Sequence, residues 1–132
     1  MIQYSHMKQY AFMGVVVALC VLIIGVVAWT RTLPGNYDQF AQCLSEKGAK
    51  FYGAFWCPHC QEQKRLFGRS VSKLPYIECS MPDAKTQTQV CIDQKITGYP
   101  TWIFADGSRT EKVLELSELA DKTSCELPKA TK

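Results

Sequence analysis

Two cysteines with a proline and a histidine between them, Cys57 and Cys60, lie in the stretch FWCPHC, residues 55–60. Thiols at this spacing bind a metal ion, form an inert structural disulfide, or exchange disulfides with another protein. A structural zinc site needs four Cys or His ligands, commonly from two such pairs. The sequence has only one Cys-x-x-Cys pair. We therefore expect no metal, and we interpret the pair as a redox centre.

The elements that flank the pair favour this chemistry. Residues 50–56, KFYGAFW, predict a buried strand, and residues 58–74, PHCQEQKRLFGRSVSKL, predict a helix that Gly68 weakens. Cys57 then lies at the helix amino terminus, where free backbone N–H groups and the helix dipole favour a thiolate. We expect Cys57 to be the nucleophile and Cys60, one turn later, to resolve the mixed disulfide. The inward candidates on this helix are Cys60, Leu66, Phe67 and Val71.

The other elements follow from apolar periodicity and turn residues. A helix capped by Asn36 or Asp38 is expected to run through Lys47 and to end at Gly48. The remaining predicted strands are PYIECS, PTWIFA and TEKVLEL, the last two joined by a tight turn at Asp106–Gly107. The remaining predicted helices are TQTQVCIDQKI and SELADKTSC, the latter opened by Ser117 and Glu118. Helices and strands in this order predict an α/β fold.

The motif Trp56–Cys60 after an aromatic strand, followed by Gly98-Tyr99-Pro100-Thr101 and a second strand, resembles the thioredoxin fold. The resemblance implies a central mixed sheet flanked by helices. It also implies that Pro100 is a cis-proline packed against the active disulfide. Trp56 and Tyr99 are expected to line the substrate-facing surface, with core packing as the alternative for Trp56.

The dipeptide between the cysteines also carries a resemblance. Pro58-His59 is the pair found in the strongly oxidising DsbA-type proteins, which implies an oxidising disulfide. His59 is expected to stabilise the Cys57 thiolate by charge or by a hydrogen bond, and the alternative is an exposed histidine without an electrostatic role.

One position departs from the thioredoxin-like reductases, which usually carry a buried acidic residue on the strand six positions before the nucleophile. Here that position is Phe51. Proton removal from Cys60 must then use another base or water, so efficient reductase activity is not expected. Disulfide donation stays open.

Over its whole length the predicted domain is similar to the thioredoxin-like domain that accompanies bacterial and plant vitamin K epoxide reductase homologues. The similar stretches are FAQCLSEKGAKFYGAFWCPHCQEQKRLFG, YIECS, Cys91, ITGYPTW and LSELADKTSC. In those proteins the domain is often fused to a four-helix quinone-reducing membrane domain, and here we expect one apolar helix in its place. The resemblance implies a separate vitamin K epoxide reductase-like membrane partner that reoxidises the Cys57–Cys60 dithiol. No cofactor is expected in this chain beyond its redox-active disulfide, and a quinone would act only through the partner.

These features predict a thiol–disulfide oxidoreductase that donates disulfides to exported proteins with free cysteines. Two alternatives remain. One is a disulfide reductase or isomerase, for example in cytochrome maturation, and the other is a non-catalytic adaptor or chaperone on the same fold.

The other cysteines suggest structural bonds. Cys79 and Cys91 are expected to form a disulfide that clamps the loop between them, with a second redox relay as the alternative. Cys43 and Cys125 are candidates for a further disulfide, although four cysteines allow three connectivities. In the usual fold the first and last helices flank opposite sheet faces, which argues against that last bond.

An uncharged stretch near the amino terminus predicts membrane attachment. Residues 11–29, AFMGVVVALCVLIIGVVAW, are long enough to cross a bilayer as a helix, and Trp29 suits its interfacial end. A cleaved signal peptide is the alternative, but the apolar run is longer than a usual signal core and no clean cleavage site closes it. Six of the seven cysteines follow this stretch, which predicts an oxidising compartment, the periplasm or an equivalent lumen.

The predicted organisation is a short amino-terminal segment, a transmembrane anchor, a linker, a thioredoxin-like domain and a tail. Their bounds are 1–10, 11–29, 30–36, 37–127 and 128–132. The net charge is +3 and the charges are interspersed without a basic run, so no nucleic acid partner is expected.

Overall fold

The structure, a computed structural model, describes residues 2–128, with side chains from residue 10 onward. Of the predicted tail, 128–132, only Pro128 lies within the described residues, and residue 1 of the predicted amino-terminal segment lies outside them. The chain divides into two compact units, Met1–Leu33 and Pro34–Lys132.

The first unit is a single helix, α1 (Ile2–Thr32), which is longer than the predicted anchor at 11–29. Its part Tyr10–Thr32 has a mean hydropathy of 3.0 over its most apolar window and is long enough to cross a membrane. Length and composition alone make this assignment, and a signal sequence near an amino terminus would satisfy the same two criteria.

The second unit is built on a four-stranded mixed sheet with the strand order β2-β1-β3-β4. Strands β1 and β2 are parallel, whereas the pairs β1–β3 and β3–β4 are antiparallel. The strands are β1 (Lys50–Gly53), β2 (Tyr76–Glu78), β3 (Thr101–Ile103) and β4 (Arg109–Thr110). The flanking helices are α2 (Asp38–Glu46), α3 (Pro58–Phe67), a 3₁₀ helix (Gly68–Lys73), α4 (Gln89–Asp93) and α5 (Leu116–Thr123). The predicted fold class, a mixed sheet flanked by helices, is confirmed.

Alternation along the central strands builds two apolar layers. Phe51 and Trp102 lie in one core cluster with buried side chains of α2, α3 and α5. Tyr52 lies in a second cluster with Cys79, Cys91 and Ile96, against which Ile77 and Ile103 pack. Because successive strand residues point to opposite faces, one short strand supplies both layers. The larger layer is the one that holds Cys57 and Cys60.

The helix predicted through residue 74 ends earlier. Gly68 has a φ of +53°, a backbone conformation that favours glycine, so α3 stops at Phe67 and a 3₁₀ helix follows. Val71, predicted to point inward, lies in this 3₁₀ helix and is 37% exposed. The predicted inward position of Val71 is therefore wrong.

The strand predicted over TEKVLEL is also shorter, since β4 contains only Arg109–Thr110. Leu114 is fully buried, but its backbone binds a side chain instead of a neighbouring strand. Helix α5 then begins at Leu116, with Glu115 as its cap in a reciprocal pair with Glu118, and not at Ser117.

Two more helix boundaries differ from the prediction. The cap residue of α2 is Tyr37 rather than Asn36 or Asp38, and this helix ends at Glu46. Helix α4 covers only Gln89–Asp93, because Lys95, at a φ of +54°, cannot continue it.

Gln63 is the buried side chain that binds the backbone of Leu114. Its Nε2 donates to the Leu114 carbonyl at 2.9 Å, and its Oε1 accepts from the Leu114 N–H at 2.7 Å. The same oxygen accepts from Trp102 Nε1 at 3.2 Å. One glutamine of α3 thus attaches the segment after β4 to the core, and sequence periodicity does not reveal such a contact.

We expect the substitution Gln63→Leu to lower the free energy of unfolding by about 3 kcal/mol, because it leaves buried donors and an acceptor without partners. Gln39→Leu on α2 is the matched control, since Gln39 is exposed, and it should change stability by less than about 0.5 kcal/mol. Urea unfolding of both variants measures the difference. Equal stability of the two variants would contradict this role of Gln63.

Candidate active site

Cys57 is the cap residue of α3, at the junction of the segment after β1 and the helix. Its Sγ accepts a hydrogen bond from the backbone N–H of Cys60, at 3.4 Å. The thiol also lies 3.6 Å from the Tyr99 carbonyl oxygen, to which it can donate. Pro58 occupies the first helical position, where its lack of an N–H costs no hydrogen bond. The helix terminus therefore presents the backbone N–H of Cys60 to the sulfur of Cys57.

Cys60 lies beneath Cys57 and is fully buried, whereas Cys57 keeps 5% of its surface exposed. Both cysteines are free thiols in this structure. Burial, and then the hydrogen bond with Cys57, raises the pKa of Cys60 to about 12, while the nearby Lys64 opposes the shift. Cys60 is thus a protonated, inaccessible thiol, and Cys57 is the sulfur that a second protein can reach.

The peptide bond between Tyr99 and Pro100 is cis, and Pro100 is buried. The loop before it is held by two hydrogen bonds, from Thr101 Oγ1 to the Gly98 carbonyl at 2.7 Å and from Gln87 Nε2 to Tyr99 Oη at 2.8 Å. Through the Tyr99 carbonyl this loop contacts the Cys57 thiol. The two sequence motifs, distant along the chain, therefore meet at one site.

A cleft of about 400 Å³ runs beside the cis-proline. Its lining residues are His59, Glu62, Tyr99, Pro100, Glu111, Lys112 and Val113. The cleft is open to solvent and borders the loop whose carbonyl contacts Cys57. An extended segment of another protein could lie there with a cysteine close to the nucleophile.

His59 lies on the exposed side of α3. Its side chain is 71% exposed, and its Nδ1 lies 3.5 Å from Glu62 Oε2. Within the described part of the chain, no hydrogen bond joins His59 to Cys57. Stabilisation of the Cys57 thiolate by His59 stays a prediction, and the side-chain contact that the structure gives His59 is the one with Glu62.

Aromatic side chains form a rim around Cys57. Trp56 is 50% exposed, its Nε1 donates to Ser80 Oγ at 2.9 Å, and its ring meets Tyr99 edge-on at 6.0 Å between centroids. Phe55 is exposed beside it. Trp56 therefore lies at the surface and not in the core, and its predicted substrate-facing role stays a prediction.

The other cysteines beyond α1 form two disulfides, Cys79–Cys91 and Cys43–Cys125, with Cα–Cα distances of 5.5 Å and 5.9 Å. Both sulfurs of Cys79–Cys91 are fully buried, so this bond has no direct access for a redox partner.

The argument against the Cys43–Cys125 bond was wrong. Leu44 of α2 and Leu119 of α5 belong to the same core cluster, so the first and last helices of this unit pack on the same sheet face.

Among residues 10–128, no three His, Cys, Asp or Glu side chains converge to hold a metal ion.

Three residues near Cys60 were missed by the sequence analysis, namely Lys64, Tyr76 and Glu78. Tyr76 Oη donates to Glu78 Oε2 at 2.7 Å, and Lys64 Nζ lies 3.4 Å from the centroid of the Tyr76 ring. The signal in the sequence was a carboxylate inside the short strand YIE. Whether this carboxylate lies near Cys60 depends on which strand pairs with β1, and the periodicity of the sequence does not reveal the strand pairing.

Comparison with known proteins agrees with this geometry. The sequence model of the family described as Thioredoxin matches residues 33–124. The thiol-disulfide oxidoreductase LTO1 of Arabidopsis thaliana is 46% identical over 94 residues, which cover 68% of this chain and 25% of the plant protein. A thioredoxin domain-containing protein 5 homolog of Drosophila melanogaster is 37% identical over 84 residues, 54% of this chain and 19% of the fly protein. The chain thus spans a quarter or less of these relatives' lengths. Since the family match covers the sheet, both motifs and all the flanking helices, this chain belongs to the thioredoxin family.

Proposed function

We propose that this protein is a membrane-anchored thiol–disulfide oxidoreductase that donates the Cys57–Cys60 disulfide to exported proteins with free cysteines. The observation that carries the proposal is the unequal pair at the start of α3, one sulfur reachable at the helix terminus and the other buried and protonated. Family membership and the plant relative named a thiol-disulfide oxidoreductase support thiol–disulfide exchange as the chemistry.

The exchange balances without a bound cofactor. A substrate thiolate attacks Cys57 Sγ, the Cys57–Cys60 bond breaks, and Cys60 leaves with the electron pair. A second substrate thiolate then attacks the substrate sulfur of the mixed disulfide, and Cys57 leaves as a thiolate. The substrate gains one disulfide, and the protein keeps two thiols and two electrons.

Attachment and compartment are parts of the same proposal. The stretch Tyr10–Thr32 supports a membrane anchor by its length and apolar composition. The two structural disulfides support an oxidising compartment, because such bonds do not persist where cellular thiols are kept reduced. We place the thioredoxin unit in the periplasm or an equivalent lumen.

Continued donation needs an oxidant for the dithiol. We assign this role to a vitamin K epoxide reductase-like membrane protein, in which a quinone would take the two electrons. The support is the resemblance of this domain to those that accompany such reductases. A partner disulfide attacked by the Cys57 thiolate would return the pair to its oxidised state.

The redox potential of Cys57–Cys60 tests the direction of the reaction. We expect full-length protein in detergent, with Cys20→Ala to remove the third free thiol, to equilibrate with glutathione near the DsbA value of about −120 mV. A potential near the thioredoxin value of about −270 mV would contradict donation and favour the reductase alternative.

A further inference from the structure

Cys60 must lose a proton each time it attacks Cys57 and regain one each time it leaves. Its raised pKa makes spontaneous loss rare at neutral pH. The side chain of β1 six positions before Cys57 is Phe51, which is fully buried and stacks on Trp102 with 4.9 Å between centroids. It offers no atom that can accept a proton.

The neighbouring parallel strand supplies polar groups at the same level of the sheet. In the register of β1 and β2, Tyr76 pairs with Phe51 and Glu78 pairs with Gly53. A methyl group on Gly53 would lie 2.9 Å from both Cys60 Sγ and Tyr76 Cε2. With no side chain at Gly53, the thiol and the edge of the phenol ring border the same small space beside β1. The carbon next to Cε2 carries the hydroxyl group.

The hydroxyl of Tyr76 leads to a fixed carboxylate. It donates to Glu78 Oε2 at 2.7 Å. The other oxygen, Oε1, accepts from the backbone N–H groups of Phe55 at 3.1 Å and Ser80 at 3.0 Å. These hydrogen bonds hold the half-buried Glu78 between its own strand and the segment that precedes Cys57.

The charged and titratable groups around Cys60 come from two elements. Helix α3 contributes Cys57 and Lys64, and β2 contributes Tyr76 and Glu78. Strand β1 contributes only apolar side chains and Gly53 on this face. Burial, and then the bond to Glu78, raises the pKa of Tyr76, so the phenol stays protonated and can pass a proton on.

We propose that Glu78, acting through the Tyr76 hydroxyl, is the positioning residue that takes up the Cys60 proton and returns it. In the resolving step Cys60 Sγ attacks Cys57 Sγ, and the bond between Cys57 and the partner sulfur breaks. The partner sulfur leaves as a thiolate with the electron pair. The Cys60 proton moves to the Tyr76 oxygen as the Tyr76 proton moves to Glu78. The reverse transfer protonates Cys60 when a substrate opens the disulfide. The proposal rests on thiol–disulfide exchange being the function of the pair.

The test separates attack by Cys57 from resolution by Cys60. Full-length Cys20→Ala protein in detergent, with only the active-site pair reduced, is mixed with dithiobisnitrobenzoate, which releases a coloured thiolate at each step. The first release reports attack by Cys57, and the second reports attack by Cys60. We expect Glu78→Gln to leave the first rate unchanged and to slow the second at least about tenfold at neutral pH.

Glu78→Gln is nearly isosteric, and its amide oxygen can still accept from the two backbone N–H groups. Glu46→Gln on α2 is the matched control, an exposed carboxylate outside the site that should leave both rates unchanged. Tyr76→Phe removes the link without removing the carboxylate. It should slow the second release as much as Glu78→Gln does, and the double variant should be no slower than either single variant.

The pH profile distinguishes proton transfer from a structural role. In the protein that keeps Glu78 as proton acceptor, the rate of the second thiolate release should change little from about pH 6 to pH 9. In Glu78→Gln the same rate should rise about tenfold per pH unit. The gap between the two proteins should therefore close as pH rises. Equal slowing of both releases, or an unchanged pH slope in Glu78→Gln, would overturn the role of Glu78. If even the unsubstituted pair gave no first release, the proposed function would fail and the Glu78 proposal with it.

Discussion

Serine in place of Cys57 is expected to reduce disulfide transfer to a reduced test protein to the uncatalysed rate. Cys57 is the only one of the two cysteines with exposed surface, and it lies at the amino terminus of α3 with its sulfur next to the backbone N–H of Cys60. A serine hydroxyl keeps the size of the side chain but supplies no sulfur to form the mixed disulfide. The measurement is the rate of disulfide formation in the test protein, with the variant preincubated in an oxidising glutathione buffer.

The companion variant should behave differently. With serine in place of Cys60, Cys57 can still attack a disulfide, but no second thiol resolves the product, so a covalent mixed disulfide should accumulate. A non-reducing gel detects that species. Cys20→Ser, an exposed cysteine of α1, is the control and should behave as the unsubstituted protein.

The outcome also separates the alternatives. An adaptor or chaperone on a thioredoxin scaffold would keep its activity in Cys57→Ser. A relay through Cys79–Cys91 would keep some transfer even without Cys57, although both of its sulfurs are fully buried. Retained transfer in the Cys57→Ser protein would therefore contradict donation by Cys57.

The thiol pair could be predicted from the sequence because it is local. Cys57, Pro58 and Cys60 lie in one helical turn, and the turn itself creates the contact between the sulfur and the N–H group of Cys60. The contact with Tyr99 could be predicted only through resemblance to a family, because it depends on how β3 returns beside β1.

The residues that the sequence analysis missed could be placed near Cys60 only if the register of β2 against β1 were known. Tyr76 and Glu78 approach Cys60 only because β2 pairs with β1 in parallel and in one alignment. A shift of one residue would point Tyr76 and Glu78 to the opposite face, and no periodicity within three residues can exclude it.

The wrong boundaries have a similar cause. The predicted strand through Leu114 was based on alternating apolar residues, but the partner of its backbone is Gln63, a side chain from α3. The helix through Val71 was ended by the positive φ of one glycine. In both regions a specific tertiary contact or backbone angle overrode the local pattern.

Removal of the Cys43–Cys125 disulfide is expected to cause a large loss in the free energy of unfolding. Its cysteines are 82 positions apart, so the bond closes most of the thioredoxin unit into one loop in the unfolded chain. Loop entropy then predicts that it contributes about 4.5 kcal/mol to the free energy of unfolding. Small domains have only about 5–15 kcal/mol in total, so replacing both cysteines by alanine should leave the unit close to its unfolding threshold at ambient temperature.

The Cys79–Cys91 bond is the internal comparison. It joins positions only 12 apart, and the same relation predicts a loss of about 3 kcal/mol when both cysteines become alanine. Urea unfolding, followed by the fluorescence of the buried Trp102, gives both values. Since Cys79 and Cys91 are fully buried, their replacement by alanine also loses packing, which adds to the loss of stability for this shorter loop. This extra loss opposes the expectation that removing Cys43–Cys125 is the more destabilising change. A larger loss for Cys43–Cys125 despite that bias would identify chain entropy as the cause, whereas an equal or smaller loss would contradict it.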